Sequence, residues 1–269
     1  MRNTKGFTLI EMVIVMVILG IVATGVTSFI RFGTQIFVDV SERDELLSSS
    51  RFVLERLNRE LRMVTPNSVR ISLAAGVQCI EFVPTVTSTF YDQLPGFPAA
   101  SNTITAIYPS NYVAVATEYA VVYPLSPPDI YDPANARIFE IDSVGANSAP
   151  TPVNITLKDT VSFAHQSPAR RLFIVSQPVS YCVRNGDIFR HSGYGFNTAQ
   201  SLSIAVLGPG ELMAEHVSNN IAVGNTGEQP FELTPPSLVR NAYVNLLLKF
   251  DLNDEKVEFS NEIHIPNAP

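Results

Sequence analysis

The fold is decided at the N-terminus, by the sequence Gly6-Phe7-Thr8-Leu9-Ile10-Glu11 and by the uncharged run Met12–Ile30 that follows it. If this run is helical it spans about 28 Å, which is close to the hydrocarbon thickness of a bilayer. Arg2 and Lys5 precede the run, so the positive-inside rule leaves the N-terminus cytoplasmic and sends the rest of the chain across the membrane. The sequence therefore predicts one N-terminal membrane helix.

An ordinary secretory signal is the first competing interpretation. Such a signal has a basic start, an apolar run of about 7–15 residues and a cleavage site of small residues, which Ala23-Thr24-Gly25 could imitate. The run here is too long for a signal, and Glu11 stands at its beginning. An unpaired carboxylate in hydrocarbon costs several kcal/mol, and acidic residues in such positions generally have a partner and a function. A membrane anchor with an added role is therefore favoured.

The sequence from Gly6 to Glu11 resembles the cleavage and methylation motif of type IV pilins and type II secretion pseudopilins. The resemblance implies that residues 1–6 are a prepilin leader, cut between Gly6 and Phe7 by a membrane prepilin peptidase that also N-methylates Phe7. Residues 7–30 would then be the transmembrane helix. Pairing of Glu11 with the terminal ammonium of a neighbouring subunit would relieve the cost of burying the carboxylate and would fix the axial register.

Beyond the membrane run the charge pattern changes, but the helix is expected to continue as an amphipathic stem over residues 31–65. Four apolar residues recur every seven positions among charged side chains of both signs: Val40, Leu47, Leu54 and Leu61. The stem should end at Thr65-Pro66, because a residue that precedes proline avoids the α region. A free coiled coil would show a similar pattern; the family resemblance favours a stem packed on a β-rich domain.

The remaining residues, 66–269, predict a periplasmic β-rich globular head. Short β-branched runs between turn-forming residues indicate strands at Val77–Val83, Tyr112–Val122, Ala136–Ile141, Leu172–Val175, Val179–Val183, Ile188–His191, Ala242–Phe250 and Lys256–Ile265. The run Arg184-Asn185-Gly186-Asp187 predicts a hairpin turn. Proline-rich stretches predict loops at Pro84–Ser110, Tyr123–Asn135 and Val144–Pro152. The predicted fold class is α+β and pilin-like, with a long N-terminal α-helix, half transmembrane and half amphipathic, packed on a mainly antiparallel β-sheet head.

Two cysteines, Cys79 and Cys182, are 103 positions apart. In an oxidising compartment two lone cysteines are expected to form a disulfide, which over so long a loop stabilises by about 4–5 kcal/mol in the chain-entropy description. The alternative is a pair of buried free thiols in strands. A metal site made of two cysteines without nearby histidines is not expected.

Composition and motifs give no indication of catalysis. Without the predicted leader, the chain has 25 acidic and 16 basic side chains. A surface that acidic is a poor match for nucleic acid. The four histidines are not at ligand spacing, and the sequence has no nucleophile elbow, phosphate-binding loop or dinucleotide fingerprint. We therefore expect no catalytic residue, no metal and no cofactor.

Two parts of the head resemble narrower families. Ser180–Arg190 resembles a strand-turn-strand of the J-type minor pseudopilins, whereas Val244–Leu248 and Glu262–Pro269 resemble the MSHA pilus biogenesis protein O family of minor pilins. The resemblance implies an inner-membrane subunit that joins other major and minor pilins and an assembly platform, and that primes or caps a filament. The alternatives are a type II secretion minor pseudopilin and a pilus-tip adhesin whose loops Pro84–Ser110 or Val144–Pro152 contact a surface.

Overall fold

The computed structural model describes residues 6–97, 99–109, 112–146, 152–222, 224–225, 227–235, 241–253 and 255–265. The chain divides into two compact units, Met1–Ser48 and Ser49–Pro269. Helix α1 runs without interruption from Leu9 to Arg62 and so contributes to both units. It ends shortly before the predicted stop at Thr65, whose N–H donates a hydrogen bond to the carbonyl oxygen of Val83 instead of continuing the helix.

The N-terminal unit presents an apolar helix without an apolar partner in its own unit. Every described side chain from Gly6 to Ser41 is exposed, including Phe29 and Phe37. A helix that is apolar all round belongs either in a protein core or in a membrane. Among the described residues α1 is the one helix long and apolar enough to cross a bilayer, and none of its most apolar stretch is buried in the protein.

The second unit contains three sheets, and every pair of described strands within them is antiparallel. The first is a five-stranded sheet. In spatial order its strands are β1 (Arg70–Ala74), β2 (Val77–Phe82), β9 (Val179–Arg184), β10 (Asp187–Ser192) and β11 (Glu211–Ala214). The predicted hairpin is confirmed between β9 and β10, where Asn185 and Gly186 adopt positive φ angles of 52° and 87°.

The second sheet closes into a six-stranded barrel that occupies the chain between β2 and β9. In spatial order its strands are β3 (Thr85–Gln93), β4 (Ser101–Ala106), β7 (Val153–Val161), β6 (Ile138–Val144), β5 (Tyr119–Val121) and β8 (Arg171–Val175). Buried apolar side chains such as Ile104, Ile155 and Ile174 pack together in one core cluster. Because Phe82 and Val179 are register partners, the chain leaves the five-stranded sheet and returns to it at one point.

The third sheet has three strands, β12 (Phe231–Thr234), β13 (Tyr243–Leu252) and β14 (Glu255–His264), with β13 in the middle. Buried and partly exposed residues alternate along β13, as expected for a strand with one face on a core. Short helical turns lie in the connections: α2 (Pro128–Tyr131), a 3₁₀ turn (Pro133–Asn135) and α3 (Ile204–Leu207).

The last turns of α1 pack inside the second unit. The buried residues on these turns follow a spacing of three and four: Ser50, Val53, Leu57 and Leu61. The predicted seven-residue line only partly coincides with this face, since Leu61 is buried, Leu54 is half-buried and Val40 is 62% exposed. Val40 lies in the stretch up to Ser41 in which every described side chain is exposed. Leu54 lies beside the buried face, because a straight α-helix drifts by about 20° per heptad from a strict seven-residue line.

The predicted fold class is confirmed, because a long apolar helix precedes antiparallel sheets. Several details of the head are wrong. The predicted loop Pro84–Ser110 contains β3 and β4, and in the predicted strand Tyr112–Val122 only Tyr119–Val121 is paired. The predicted loop Tyr123–Asn135 contains α2 and the 3₁₀ turn, and residues 147–151 of the predicted loop Val144–Pro152 lie outside the described residues.

Candidate functional site

The first turn of α1 is closed by reciprocal hydrogen bonds between Thr8 and Glu11. Because the helix begins at Leu9, Thr8 is its N-cap and Glu11 its third residue. Glu11 Oε2 accepts hydrogen bonds from the backbone N–H and the hydroxyl of Thr8, both at 2.9 Å, and the Glu11 N–H donates to Thr8 Oγ1 at 3.4 Å. This arrangement is a capping box, which satisfies backbone N–H groups that no helical carbonyl can reach.

The cap gives Glu11 a partner within its own chain. Sequence reasoning found Glu11 but missed Thr8, although a Thr-x-x-Glu spacing immediately before an apolar run is the signature of a capping box. Two donors of the same chain bind the carboxylate. The site can therefore stabilise the helix start and present a negative charge at the same place.

Gly6 and Phe7 lie before the helix, and both are exposed. A Cβ atom placed on Gly6 would meet nothing within 4 Å, and the Phe7 side chain is 80% exposed. Hence nothing in the described part of the chain requires glycine at this position; a requirement would have to come from a molecule that binds here. Residues 1–5 of the predicted leader lie outside the described residues.

The polar side chains within the apolar run bond to their own helix. The hydroxyl of Thr24 donates to the carbonyl oxygen of Ile21, and that of Thr27 donates to the carbonyl oxygen of Ala23, both at 2.8 Å. Hydroxyl groups bonded in this way need no water, so the threonines are compatible with a hydrocarbon environment.

An ion pair sets the register of the last helical turns on the five-stranded sheet. Glu60 Oε1 lies 3.2 Å from Nε of Arg56 on the same helix and 3.1 Å from Nε of Arg190 on β10. The Glu60 and Arg190 side chains are largely buried. Arg190 also lies 4.0 Å from Glu211 on β11, so a small network of charges connects the end of α1 with two strands of the five-stranded sheet.

The structure joins Cys79 and Cys182 in a disulfide. The two residues lie directly opposite each other on β2 and β9, and both are fully buried. Leu207, Tyr194 and Leu202 pack around them. The bond therefore ties the two strands together close to the point where the barrel segment leaves the sheet and returns.

No group of three or more metal-ligating side chains comes together within the described ranges. His191 is buried in β10, whereas His165, His216 and His264 are exposed at separate places. The candidate site is therefore taken to be the N-terminal segment, which carries Gly6, Phe7 and Glu11.

Comparison with protein-family models gives a match at the N-terminus. Residues 1–27 match the family described as the Prokaryotic N-terminal methylation motif, a range that includes Gly6, Phe7 and Glu11. No curated protein and no solved structure matches the chain significantly. The matched motif, together with the exposed apolar helix that carries it, supports a membrane-anchored protein of the type IV pilin-like kind.

Proposed function

We propose that this protein is a minor pilin or pseudopilin that primes or caps assembly of an MSHA-type pilus through its N-terminal helix. The observation that carries the proposal is the match of residues 1–27 to the methylation motif, which includes the first turns of an exposed apolar helix with Glu11 in its first turn. The role is structural, as is usual for proteins with this motif.

Maturation would begin with prepilin peptidase, which cuts between Gly6 and Phe7 and N-methylates Phe7. The new N-terminus then lies four residues from Glu11, and residues 7–30 hold the protein in the inner membrane with its head in the periplasm. The ammonium of Phe7 and the Glu11 carboxylate of a neighbouring pilin are complementary charges, and pairing them would offset the cost of keeping each in hydrocarbon.

Assembly would use the exposed apolar surface of α1. This surface has no apolar partner within its own unit, so it is free to pack against the helices of other major and minor pilins as the assembly platform moves subunits out of the membrane. A head with three sheets among its described residues suits a subunit present in few copies better than an abundant lattice subunit.

Substitution of Gly6 tests the processing step. Gly6→Leu should leave an uncleaved precursor in the membrane, because a bulky side chain blocks the extended backbone that a peptidase must bind. The matched control is Gly20→Leu, since a Cβ atom there also meets nothing within 4 Å. Normal processing of Gly6→Leu in the native host would overturn the proposed leader.

Intact mass gives an independent reading of the mature N-terminus. The purified protein should have the mass of a chain that starts at N-methylated Phe7; a start near Val26 would support an ordinary secretory signal instead.

A strain that lacks the protein identifies the system in which it works. Loss of pili with intact secretion supports the MSHA-type role, and loss of secretion with intact pili supports a type II pseudopilin.

A further inference from the structure

A cleft of about 470 Å³ lies where the barrel joins the five-stranded sheet. The barrel side contributes Pro84, which precedes β3, and Gln177, which lies between β8 and β9. The sheet contributes Val179 of β9 and Arg190 of β10, and Glu60 of α1 also lines the cleft. All of these residues belong to the second unit. A cleft of this volume, at a junction between two packed parts of a protein, is typical of small-molecule sites.

Hydrogen bonds hold the backbone that lines the cleft. The Ser176 N–H donates to the carbonyl oxygen of Pro84 at 3.1 Å, which ties together the two segments that enter and leave the barrel. Elsewhere in the lining, the Val115 N–H donates to the carboxylate of the buried Glu118 at 2.9 Å. The cleft is therefore formed without a ligand, which lowers the entropic cost of binding one.

Arg190 has more hydrogen-bond donors than its neighbours use. A guanidinium carries five N–H donors, and Nε of Arg190 binds the Glu60 carboxylate at 3.1 Å. Among the described residues its Nη groups have one acceptor, Ser192 Oγ at 3.4 Å, while the carboxylate of Glu211 is 4.0 Å from Nη1. The Arg190 side chain is only 15% exposed, so water compensates the remaining donors less than it would on an open surface. These donors are available to a ligand in the cleft.

The charges around Arg190 favour a ligand with a single negative charge. Arg56 and Arg190 both donate to Glu60 Oε1, so two cations surround one largely buried carboxylate. The second carboxylate nearby, that of Glu211, is 64% exposed, and water screens its charge. A multiply charged anion such as phosphate would be repelled by Glu60, which lines the same cleft. A planar carboxylate carries one charge and can accept two parallel hydrogen bonds from a guanidinium.

The rest of the lining combines apolar side chains with a few neutral polar groups. The apolar members come from both the barrel side and the sheet: Pro84, Val115, Ala116 and Val179. The neutral polar members are Thr117, Ser176, Gln177 and Ser192. Predominantly apolar walls with a small number of placed polar groups are typical of sites for organic molecules.

We propose that this cleft binds a small organic monocarboxylate. The carboxylate of the ligand accepts hydrogen bonds from the Nη groups of Arg190, and its apolar body packs against Val115 and Val179. The site lies in the second unit and uses none of the residues of the methylation motif. Binding therefore requires neither cleavage after Gly6 nor a filament, and it stands apart from the proposed pilus role.

Benzoate is a suitable probe, because it combines one carboxylate with a rigid apolar ring. Benzoate is titrated into isotope-labelled full-length protein in detergent at constant ionic strength, and the amide signals of Thr117 and Ser192 are followed by NMR. They should shift with a Kd of about 1–10 mM, as expected for so small a ligand. Benzyl alcohol has the same ring without the charge and should bind at least about tenfold more weakly. Absence of saturable shifts with benzoate, equal affinity for benzyl alcohol, or tighter binding of inorganic phosphate overturns the proposal.

A matched pair of variants locates the bound probe. Ala116→Trp fills part of the cleft, whereas Ala114→Trp places the same ring on an alanine of the same segment that does not line it. Affinity for benzoate should fall by more than about tenfold in Ala116→Trp and stay at the wild-type value in Ala114→Trp. Both variants should keep the wild-type thermal unfolding midpoint, because both alanines are exposed. Undiminished binding by Ala116→Trp would place the probe elsewhere and contradict the proposal.

Arg190→Lys tests the role of the guanidinium. Lysine keeps a positive charge near Glu60 but lacks the planar fork of donors, so affinity for benzoate should fall by about tenfold and the preference over benzyl alcohol should narrow. Wild-type affinity in the folded variant would contradict the assignment of Arg190; if the variant does not fold, the two alanine variants decide. None of these measurements involves cleavage or filaments, so a negative result leaves the proposed pilus role standing.

Discussion

The N-terminal helix and the head use their apolar residues in opposite ways. Along the helix, large apolar side chains such as Phe29 and Phe37 are exposed. In the head, side chains of similar character, such as Ile104 and Phe250, are almost completely buried. The head buries its own apolar side chains, whereas those of the first part of the helix would be covered only by a membrane or by other helices. Changes in the helix should therefore affect anchoring and assembly, and changes in the head should affect stability.

The largest effect is expected from substitution of Glu11, which should reduce filament assembly and leave the stability of the head unchanged. Glu11→Gln keeps the capping box, since glutamine also serves at the third helical position, but removes the charge. If the carboxylate pairs with a neighbouring ammonium, losing one partner costs about 3–5 kcal/mol per contact, and filament number should fall by more than about a hundredfold. Filaments are counted by electron microscopy, and cleavage is followed by mass.

The stability of the head should not change in the Glu11→Gln variant. Its thermal unfolding midpoint is expected to stay at the wild-type value, because Glu11 lies in the other unit. Normal piliation of Glu11→Gln, with impaired piliation of Glu11→Ala, would show that capping alone is the function of this residue.

The next effect in size belongs to the head. Replacing both cysteines, Cys79→Ala with Cys182→Ala, should lower the free energy of unfolding by about 4–5 kcal/mol, because the bond closes a long loop. Denaturant unfolding measures the loss. Cleavage after Gly6 should be unchanged in the double variant; a cleavage defect would mean that processing of the N-terminus depends on the stability of the head.

A smaller effect is expected where the helix enters the head. Leu57→Ala should cost about 2–5 kcal/mol, since Leu57 is 1% exposed and its removal leaves a cavity. Leu54→Ala is the control on the same helix, because Leu54 is only half-buried. Equal losses for the two variants would contradict the three-and-four spacing of the buried face.

The smallest effect concerns the helix cap. Thr8→Ala should destabilise the first turn by about 1 kcal/mol, which corresponds to roughly fivefold faster hydrogen exchange of the amides there. Thr8→Ser retains the hydroxyl and should exchange as the wild type does. Exchange rates that are the same in all three proteins would show that the capping box contributes nothing in the membrane-mimetic environment of the measurement.

The parts of the structure that depend on local sequence could be predicted, and those that depend on distant pairing could not. The apolar run from Met12 and the alternation along β13 each specify one element without reference to the rest of the chain. The alternation Val153-Asn154-Ile155-Thr156-Leu157 in β7 is an equally clear signal that was missed. The closure of the barrel is different, because it depends on pairs such as Thr85 with Val175, which come from opposite ends of the barrel segment.

The candidate site shows the same division. Gly6, Phe7 and Glu11 are recognisable as a motif, and Thr8 could have been found from its spacing to Glu11. The failure of the predicted strand at Tyr112–Val115 has a specific cause, since Glu118 binds the Val115 N–H with its side chain. Competition between a side-chain acceptor and a strand partner cannot be read from β propensity.

The place where the barrel joins the five-stranded sheet determines how freely the barrel segment can be altered. Phe82 and Val179 are paired neighbours in the five-stranded sheet. The barrel is therefore an insertion into this sheet, and both ends of the insertion lie at the same place. Segments whose ends lie close together can be inserted, exchanged or shortened without reordering the structure around them. A chain that passes from Phe82 to Val179 through a short turn would keep the same order of five strands, so the barrel can be shortened or replaced without reordering the sheet.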